Sequence, residues 1–140
     1  MTLSRRDFMA VTGCAVAFSG LAALPAHASL VDEQIKAFTG GAEIGQGGIE
    51  LDAPEIAENG NTVPINLSAP GAASIMLLAS GNPVPSVATF NFGPLSGARA
   101  GSTRIRLIKT QDVVAIAKME DGTFKMTQAT VKVTIGGCGG

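Results

Sequence analysis

The sequence predicts an all-β protein: an immunoglobulin-like antiparallel β-sandwich with a short N-terminal helix and a flexible C-terminal arm. From Ile49 onward, short runs of β-forming residues are separated by turn residues at intervals of roughly 8 to 12 residues. Only one short segment, near residue 30, has apolar residues at helical spacing. The chain ends in four glycines around one cysteine, a composition that does not favour packed structure.

The predicted helix follows Ser29, a residue type that caps helix N-termini. Apolar residues then recur at helical spacing: Leu30, Val31, Ile35 and Phe38. Gly40 and Gly41 end this pattern, and we expect the helix to pack on the sandwich. The glycine-rich stretch that continues to residue 48 lacks the Lys-Ser or Lys-Thr pair of a nucleotide-binding loop, so we interpret it as a linker.

Seven segments have the composition of strands. They are residues 48–51, 62–67, 74–79, 87–92, 102–107, 112–119 and 128–135. The last two are the clearest, because Glu120-Asp121-Gly122-Thr123 provides an Asp-Gly hairpin turn between them. In the final strand Val131, Val133 and Ile135 alternate with polar residues, so one face is expected to be buried and the arm to begin from a fixed strand.

The N-terminal segment has the pattern of an export signal. Arg5 and Arg6 form a twin-arginine motif, and the apolar run from Met9 to Leu24 is shorter than the roughly 20 residues of a membrane-spanning helix. Ala26 and Ala28 supply the small residues of a signal-peptidase site. We therefore expect cleavage after Ala28, export to the periplasm by the twin-arginine route, and no membrane anchor.

These patterns divide the chain into four parts. The predicted parts are a twin-arginine signal peptide at residues 1–28, a short helix with a Gly-rich linker at 29–48, a β-sandwich at 49–135 and an arm at 136–140. The length that remains after cleavage fits a single domain with one core.

Composition excludes several classes of chemistry. Removal of residues 1–28 takes away the only histidine, His27, and the chain has no tryptophan or tyrosine. Without histidine there is no Ser-His-Asp or Cys-His catalytic pair and no imidazole ligand, so we expect neither an autonomous hydrolase nor a histidine-ligated metalloenzyme. We also expect no metal and no cofactor. Eight Lys and Arg residues remain against ten Asp and Glu, a balance that does not favour nucleic-acid binding.

Cys138 is the candidate functional residue. Since Cys14 leaves with the signal, Cys138 is the one cysteine of an exported protein, and an unpaired thiol in an oxidising compartment is either intermolecular or reactive. Four glycines flank it: Gly136, Gly137, Gly139 and Gly140. Glycine is costly to order, so we expect a movable arm that takes the thiol on the order of 15 Å beyond the last strand.

Two further groups of charged residues are weaker candidates. Glu55 and Glu58 could bind a cation, but the Asn-Gly sequence after them is typical of a solvated turn. Arg99, Arg104 and Arg106 could steer an anionic substrate or partner, and the last two share a strand face; a solvated face is the interpretation we adopt.

Five segments of the sequence together match one known family. They are the twin-arginine leader, residues 54–64 (PEIAENGNTVP), residues 87–93 (VATFNFG), residues 102–107 (STRIRL) and the terminal Gly-Gly-Cys-Gly-Gly. In these segments the chain resembles the SoxY family, the sulfur-carrying subunits of the periplasmic thiosulfate-oxidising Sox system. The C-terminal pentapeptide on a small exported β protein is the specific element, and the internal segments support the scaffold.

The resemblance implies that Cys138 carries the substrate covalently and that the chain itself is not an enzyme. The c-type cytochrome SoxAX would conjugate thiosulfate to the thiol, giving cysteine S-thiosulfonate. The hydrolase SoxB would then release sulfate. The sulfur dehydrogenase SoxCD would oxidise the remaining sulfane sulfur or, in organisms that lack SoxCD, this sulfur would pass to sulfur storage. The family forms a heterodimer with SoxZ, a second β-sandwich subunit that would be exported together with this chain on its signal.

Two other functions stay open at this point. A ubiquitin-like carrier would form a thiocarboxylate at Gly140, although its adenylating enzymes are cytoplasmic and its β-grasp fold needs a long central helix. A structural exported sandwich would use Cys138 only for intermolecular disulfides. Replacement of Cys138 by serine separates the carrier from the structural function, because only the carrier loses thiosulfate oxidation.

Overall fold

Alternation of apolar and polar residues builds the strands of two packed β-sheets. In the segment Val63–Ser68, for example, Val63, Ile65 and Leu67 are buried while the residues between them are exposed. The computed structural model describes residues 26–134 and places one helix and nine strands within them. They are α1 (Ala26–Thr39), β1 (Ile44–Gln46), β2 (Glu50–Asp52), β3 (Ile56–Ala57), β4 (Val63–Ser68), β5 (Ala72–Ala79), β6 (Ser86–Asn91), β7 (Ala100–Ile105), β8 (Gln111–Met119) and β9 (Phe124–Val133).

The strands form a six-stranded and a three-stranded sheet. The larger sheet has the order β1-β9-β8-β5-β6, with β3 also paired to β9, and the smaller sheet has the order β2-β4-β7. The longer strands pair in antiparallel fashion, whereas β1 and β3 run parallel to β9. The predicted fold class, a β-sandwich with a short N-terminal helix, is confirmed.

The main core lies between the two sheets. Its fully buried large side chains come from both sheets and from the β7–β8 loop. They include Val63, Ile65, Ile75, Leu77, Leu107, Val113 and Val131. Burial of one such side chain is worth roughly 1.5 to 3 kcal/mol. No disulfide or tryptophan takes part in this cluster, so aliphatic packing holds the sheets together.

A second apolar layer covers the outer face of the larger sheet. Met76, Leu78, Val114, Ile116 and Phe124 are buried there. Three side chains of α1 cover them, namely Val31, Ile35 and Phe38. Ile44 of β1 and Met126 of β9 pack against the same cluster. The rings of Phe38 and Phe124 meet edge to face, with 5.9 Å between their centroids. The prediction of a packing helix is therefore confirmed.

The ends of α1 differ in how well the sequence predicts them. The structure begins the helix at Ala26, so the backbone of Ser29 lies inside it and the expected N-cap at Ser29 is wrong. At the other end the prediction is correct: Gly40 has φ +66° and its amide still donates to the carbonyl of Lys36 at 2.8 Å. Among residues 26–134 there is no helix with the length and apolarity needed to cross a membrane.

All seven predicted strands are present, displaced by a few residues at their ends. The linker prediction for the segment up to residue 48 is wrong at β1, and the turn prediction for residues 54–61 is wrong at β3. These strands are three and two residues long, too short to show a periodic pattern. They form because β9 offers them an unpaired edge.

The predicted Asp-Gly turn joins β8 and β9. Gly122 has φ +86°, and the carboxylate of Asp121 accepts hydrogen bonds from the hydroxyl and amide of Thr123 at 2.6 and 2.9 Å. These bonds, the hydroxyl first, lower the pKa of Asp121 below its usual value. The stabilisation of the turn by these two hydrogen bonds is therefore present at neutral pH, and it is lost only as the pH falls through that lowered pKa.

Replacement of Phe38 by alanine should destabilise the fold by about 2 kcal/mol, because it removes the edge-to-face contact and uncovers part of the outer layer. Urea unfolding of the purified chain measures this. Lys36→Ala, an exposed change on the same helix, serves as the control and should stay within about 0.5 kcal/mol of the unchanged chain. Equal losses in the two variants would mean that α1 is not packed on the sheet in solution.

Candidate functional site

The residues named from the sequence as the functional site lie mostly outside residues 26–134. These are Cys138, its flanking glycines Gly136, Gly137, Gly139 and Gly140, and the export residues Arg5 and Arg6. Ala26 and Ala28, the expected cleavage residues, lie in the first turn of α1. What the structure describes is the protein surface from which the predicted arm leaves, at the end of β9.

The end of β9 is hydrogen-bonded on both sides. Toward β3, the amides of Lys132 and Thr134 donate to the carbonyls of Glu55 and Ala57 at 2.9 and 3.2 Å. Toward the β7–β8 loop, the amide of Val133 donates to the hydroxyl oxygen of Thr110 at 2.9 Å. Bonds on both edges hold successive residues of the strand, so the last described residues form a fixed base for the arm.

Covalent geometry limits how far the thiol can lie from this base. Four residue steps separate Thr134 from Cys138. At 3.3 to 3.6 Å per fully extended residue, the two Cα atoms are at most about 14 Å apart. Any group that reacts with the thiol must therefore approach this end of the sandwich.

A shallow depression lies beside the base. It has a volume of about 420 Å³ and is lined by residues of the β3 region and the start of β4, among them Ile56, Glu58, Asn59, Thr62 and Pro64. Ile56 is 58% exposed although it belongs to a strand. The hydroxyl of Thr134 points to the same segment, where it donates to the carbonyl of Glu58 at 3.4 Å.

The charged candidates from the sequence separate into two groups. Arg99 has a structural role: its guanidinium donates to Glu120 at 2.7 Å and to the carbonyl of Gly93 at 3.1 Å, and it lies 5.9 Å from the ring centre of Phe92. Arg104 and Arg106 are exposed, and Arg104 pairs with Pro64 beside the depression.

Glu55 and Glu58 are exposed at the base of the arm. Among residues 26–134 there is no group of three or more His, Cys, Asp and Glu residues that could hold a metal ion. Their backbone carbonyls, rather than their carboxylates, make the observed contacts with β9. The turn reading of this segment missed those contacts.

The contact of Thr110 with the end of β9 could not be predicted from the sequence. Thr110 precedes β8 in a polar turn, and nothing in its local pattern indicates that its hydroxyl contacts a residue 23 positions away. The same holds for the carbonyls of Glu55 and Ala57, because backbone groups have no sequence signature.

The described fold and the sequence that follows it define a class: a two-sheet β-sandwich whose last strand is followed in the sequence by a glycine-rich segment that contains a cysteine. Comparison with known proteins narrows this class. The model of the sulfur oxidation protein SoxY family matches residues 35–138. The chain belongs to the SoxY family.

Solved structures agree with this assignment. The sulfur carrier protein SoxY from Chlorobium limicola f thiosulfatophilum aligns with a TM-score of 0.68 and 36% identity, over 77% of this chain and 99% of that one. No curated protein sequence matches the chain significantly.

Superoxide reductases share the fold alone. The neelaredoxin of Ignicoccus hospitalis aligns with a TM-score of 0.56 and 16% identity, over 63% of this chain and 81% of that chain. The putative superoxide reductase of Thermotoga maritima aligns with a TM-score of 0.53 and 15% identity, over 69% of this chain and 90% of that chain. The same sandwich thus occurs in proteins of another class.

Replacement of Thr110 by valine should loosen the base of the arm while the fold is retained. Valine keeps the shape of the side chain but removes the oxygen that accepts from Val133, a bond worth about 1 kcal/mol. Amide hydrogen exchange at Val133 should become about 5-fold faster. Thr89→Val, on the exposed face of β6, is the control. Unchanged exchange at Val133 in Thr110→Val would show that this hydroxyl does not anchor the strand.

Proposed function

We propose that this chain is a periplasmic carrier of sulfur intermediates, which are bound covalently to Cys138. The observation that supports this most directly is membership of the SoxY family, since the matched region of the family model extends to Cys138 itself. The relative from Chlorobium limicola, 36% identical, is described as a sulfur carrier protein. The glycines around Cys138 leave the thiol sterically open to several enzymes in turn.

The first proposed step joins thiosulfate to the thiolate. A bond forms between the sulfur of Cys138 and the outer sulfur of thiosulfate, giving cysteine S-thiosulfonate, and two electrons leave to a c-type cytochrome such as SoxAX. The carrier supplies only the nucleophile in this step. The oxidant belongs to the partner.

The second step releases sulfate. Water attacks the terminal sulfone, the bond between the two substrate sulfurs breaks, and sulfate and two protons leave while a persulfide stays on Cys138. This hydrolysis is the role proposed for SoxB, and SoxCD would oxidise the persulfide sulfur further. The chain itself contributes the position of the substrate and performs no catalysis.

The proposal includes SoxZ as partner subunit and the periplasm as location. Co-export with SoxZ fits the twin-arginine route, which moves folded proteins, because Arg5 and Arg6 would serve both subunits. The thiocarboxylate alternative is less well supported, because the described helix lies on the outside of a two-sheet sandwich instead of in the concave face of a single sheet.

Intact mass spectrometry of the protein from thiosulfate-grown cells tests the carrier role. Sulfur adducts that a thiol reductant removes should be present on Cys138 and absent from Cys138→Ser, which should also abolish thiosulfate oxidation. Protein from cells grown without thiosulfate is the control. A thiol found only free or in a disulfide-linked dimer would favour the structural alternative, and modification of the Gly140 carboxylate would favour the thiocarboxylate.

Replacement of both Arg5 and Arg6 by lysine should retain the protein in the cytoplasm, because the charge is kept but the twin-arginine motif is lost. Immunoblots of periplasmic and cytoplasmic fractions measure the distribution. Arg104→Lys with Arg106→Lys makes the same change at two exposed positions, one in β7 and one in the loop after it, and this variant should be exported normally. Periplasmic accumulation of the Arg5/Arg6 variant at the usual level would contradict the proposed route.

A further inference from the structure

Three of the five large exposed apolar side chains among residues 26–134 lie at the end of the sandwich from which the predicted arm leaves. Ile56 is 58% exposed, Val84 71% and Ile108 45%. Val84 lies between β5 and β6, and Ile108 lies between β7 and β8. The neighbouring strands β6, β5, β8 and β9 pair in antiparallel fashion, so the loop that precedes β6 and the loop that precedes β8 both lie at the end where β9 finishes. Exposed apolar residues grouped in this way mark interaction sites more often than isolated ones do.

We call this region the arm-end face and define it as Ile56 with the loops at residues 58–62, 80–85 and 106–110. Its loops are tied to one another and to the core. The amide of Leu107 donates to the carbonyl of Gly60 at 2.7 Å, which joins two of the three loops.

The side chain of Asn82 joins the loop at residues 80–85 to the loop at residues 106–110. Its Nδ2 donates to the carbonyl of Arg106 at 2.7 Å, and its Oδ1 accepts from the amide of Ile108 at 3.2 Å and from Nε2 of Gln111 at 2.9 Å. Gln111 is itself only 7% exposed, and its Oε1 accepts from the amide of Gly81 at 2.8 Å. The loops therefore present Val84 and Ile108 from an ordered backbone, so that a partner need not pay the entropy of ordering them.

The charge of this end differs from that of the rest of the molecule. Half of the eight Lys and Arg residues among 26–134 lie at this end: Arg106 and Lys109 within the arm-end face, and Arg104 and Lys132 at its border. Three of the ten Asp and Glu residues lie there too: Glu58 within the face, and Glu55 and Asp112 at its border. The rest of the segment 26–134 has four Lys and Arg residues against seven Asp and Glu residues. The arm-end face is thus the relatively basic end of an acidic protein, and it favours a partner with an acidic rim.

The position of the arm connects this face with the enzymes that use the thiol. The Cα of Cys138 lies within about 14 Å of that of Thr134, so an enzyme that reacts with the thiol must come close to this end. A specific protein interface buries roughly 800 Å² on each partner, an area about 30 Å across. Three strand spacings of roughly 4.8 Å separate β9 from β6, so an interface of that size centred on the end of β9 extends to the loops that bear Val84 and Ile108.

We propose that the arm-end face is the docking surface for the enzymes that act on Cys138. It binds an enzyme surface that is apolar around the entrance of the active site and acidic at its rim. This proposal rests on the carrier function proposed above. Three exposed apolar side chains make a small interface, which suits a carrier that must leave one enzyme before it meets the next.

The test uses the full exported protein with its partner subunit and the thiosulfate-conjugating cytochrome from the same organism. Ile108→Ser and Val84→Ser shorten the two most prominent loop side chains. Leu95→Ser is the matched control, because Leu95 is 98% exposed in the loop between β6 and β7 at the opposite end. The rate of adduct formation on Cys138 is followed by intact mass spectrometry at several carrier concentrations.

The two arm-end variants should lose about 5- to 10-fold in kcat/KM, mainly through KM, while Leu95→Ser stays within about 2-fold of the unchanged protein. Tetrathionate provides an enzyme-free comparison. The Cys138 thiolate attacks a central sulfur of tetrathionate, the new disulfide bond gives the same S-thiosulfonate, and thiosulfate leaves. This reaction should proceed equally in all variants, since it needs no docking.

Equal enzymatic rates in Ile108→Ser, Val84→Ser and Leu95→Ser would overturn the docking proposal and leave the carrier function intact. Loss of the partner subunit from Ile108→Ser in size-exclusion chromatography would assign this face to the subunit interface and would also overturn it. Failure of the unchanged protein to receive any adduct from the cytochrome, while tetrathionate still modifies Cys138, would remove the carrier function and the docking proposal together.

Discussion

Hydrogen bonding along both edges of β9 is the constraint on which the rest of this structure depends. One edge pairs with β8 from Gln111 to Lys118, and the other is occupied by β1 near its start and by β3 near its end. The segment between β1 and β3 crosses to the smaller sheet as β2 and returns. β9 therefore links the two sheets, and its last residues are fixed by contacts with distant parts of the chain.

The larger sheet is covered on both faces, and this explains the composition of its central strands. β5 and β8 bury Ile75, Leu77 and Val113 against the smaller sheet and Met76 and Ile116 against α1. A strand with two buried faces reads as a continuous apolar run, whereas β4, with one exposed face, alternates. Helix α1 thus forms a third layer of the structure. Without it, the apolar residues of β5 and β8 that face away from the smaller sheet would be exposed to solvent.

Most of the fold could be predicted from local patterns. The alternation in β4, the apolar runs of β5 and β8 and the Asp-Gly turn each have a signal within about ten residues. β1 and β3 have no such signal, because their conformation is set by pairing with a strand some 80 residues later. Local propensity cannot encode a partner at that distance.

The residues of the candidate site also divide into those that the sequence predicts and those that it does not. Cys138 could be singled out from the sequence alone, since a cysteine among four glycines that is expected to be the one cysteine left after signal cleavage has few interpretations. The residues that surround the base of the predicted arm could not be identified in this way. The contacts of Thr110, Asn82 and Ala57 use a hydroxyl, an amide and a backbone carbonyl in loops, and such polar loop residues occur in most proteins. The exposure of Ile108 likewise depends on how the loops pack, and no periodic pattern of apolar residues in the sequence predicts it.

The pairing of β3 with β9 has a consequence for the order in which the chain folds. The contact between Thr134 and Glu58 spans 76 residues, and closing so long a loop is entropically unfavourable until intervening structure has brought the ends together. We therefore expect the hairpin of β8 and β9 to form early and the attachment of β3 to come late. The fixed end of β9 would then be completed only in a chain whose two sheets have already assembled, so the segment that precedes Cys138 would be anchored only in fully folded molecules.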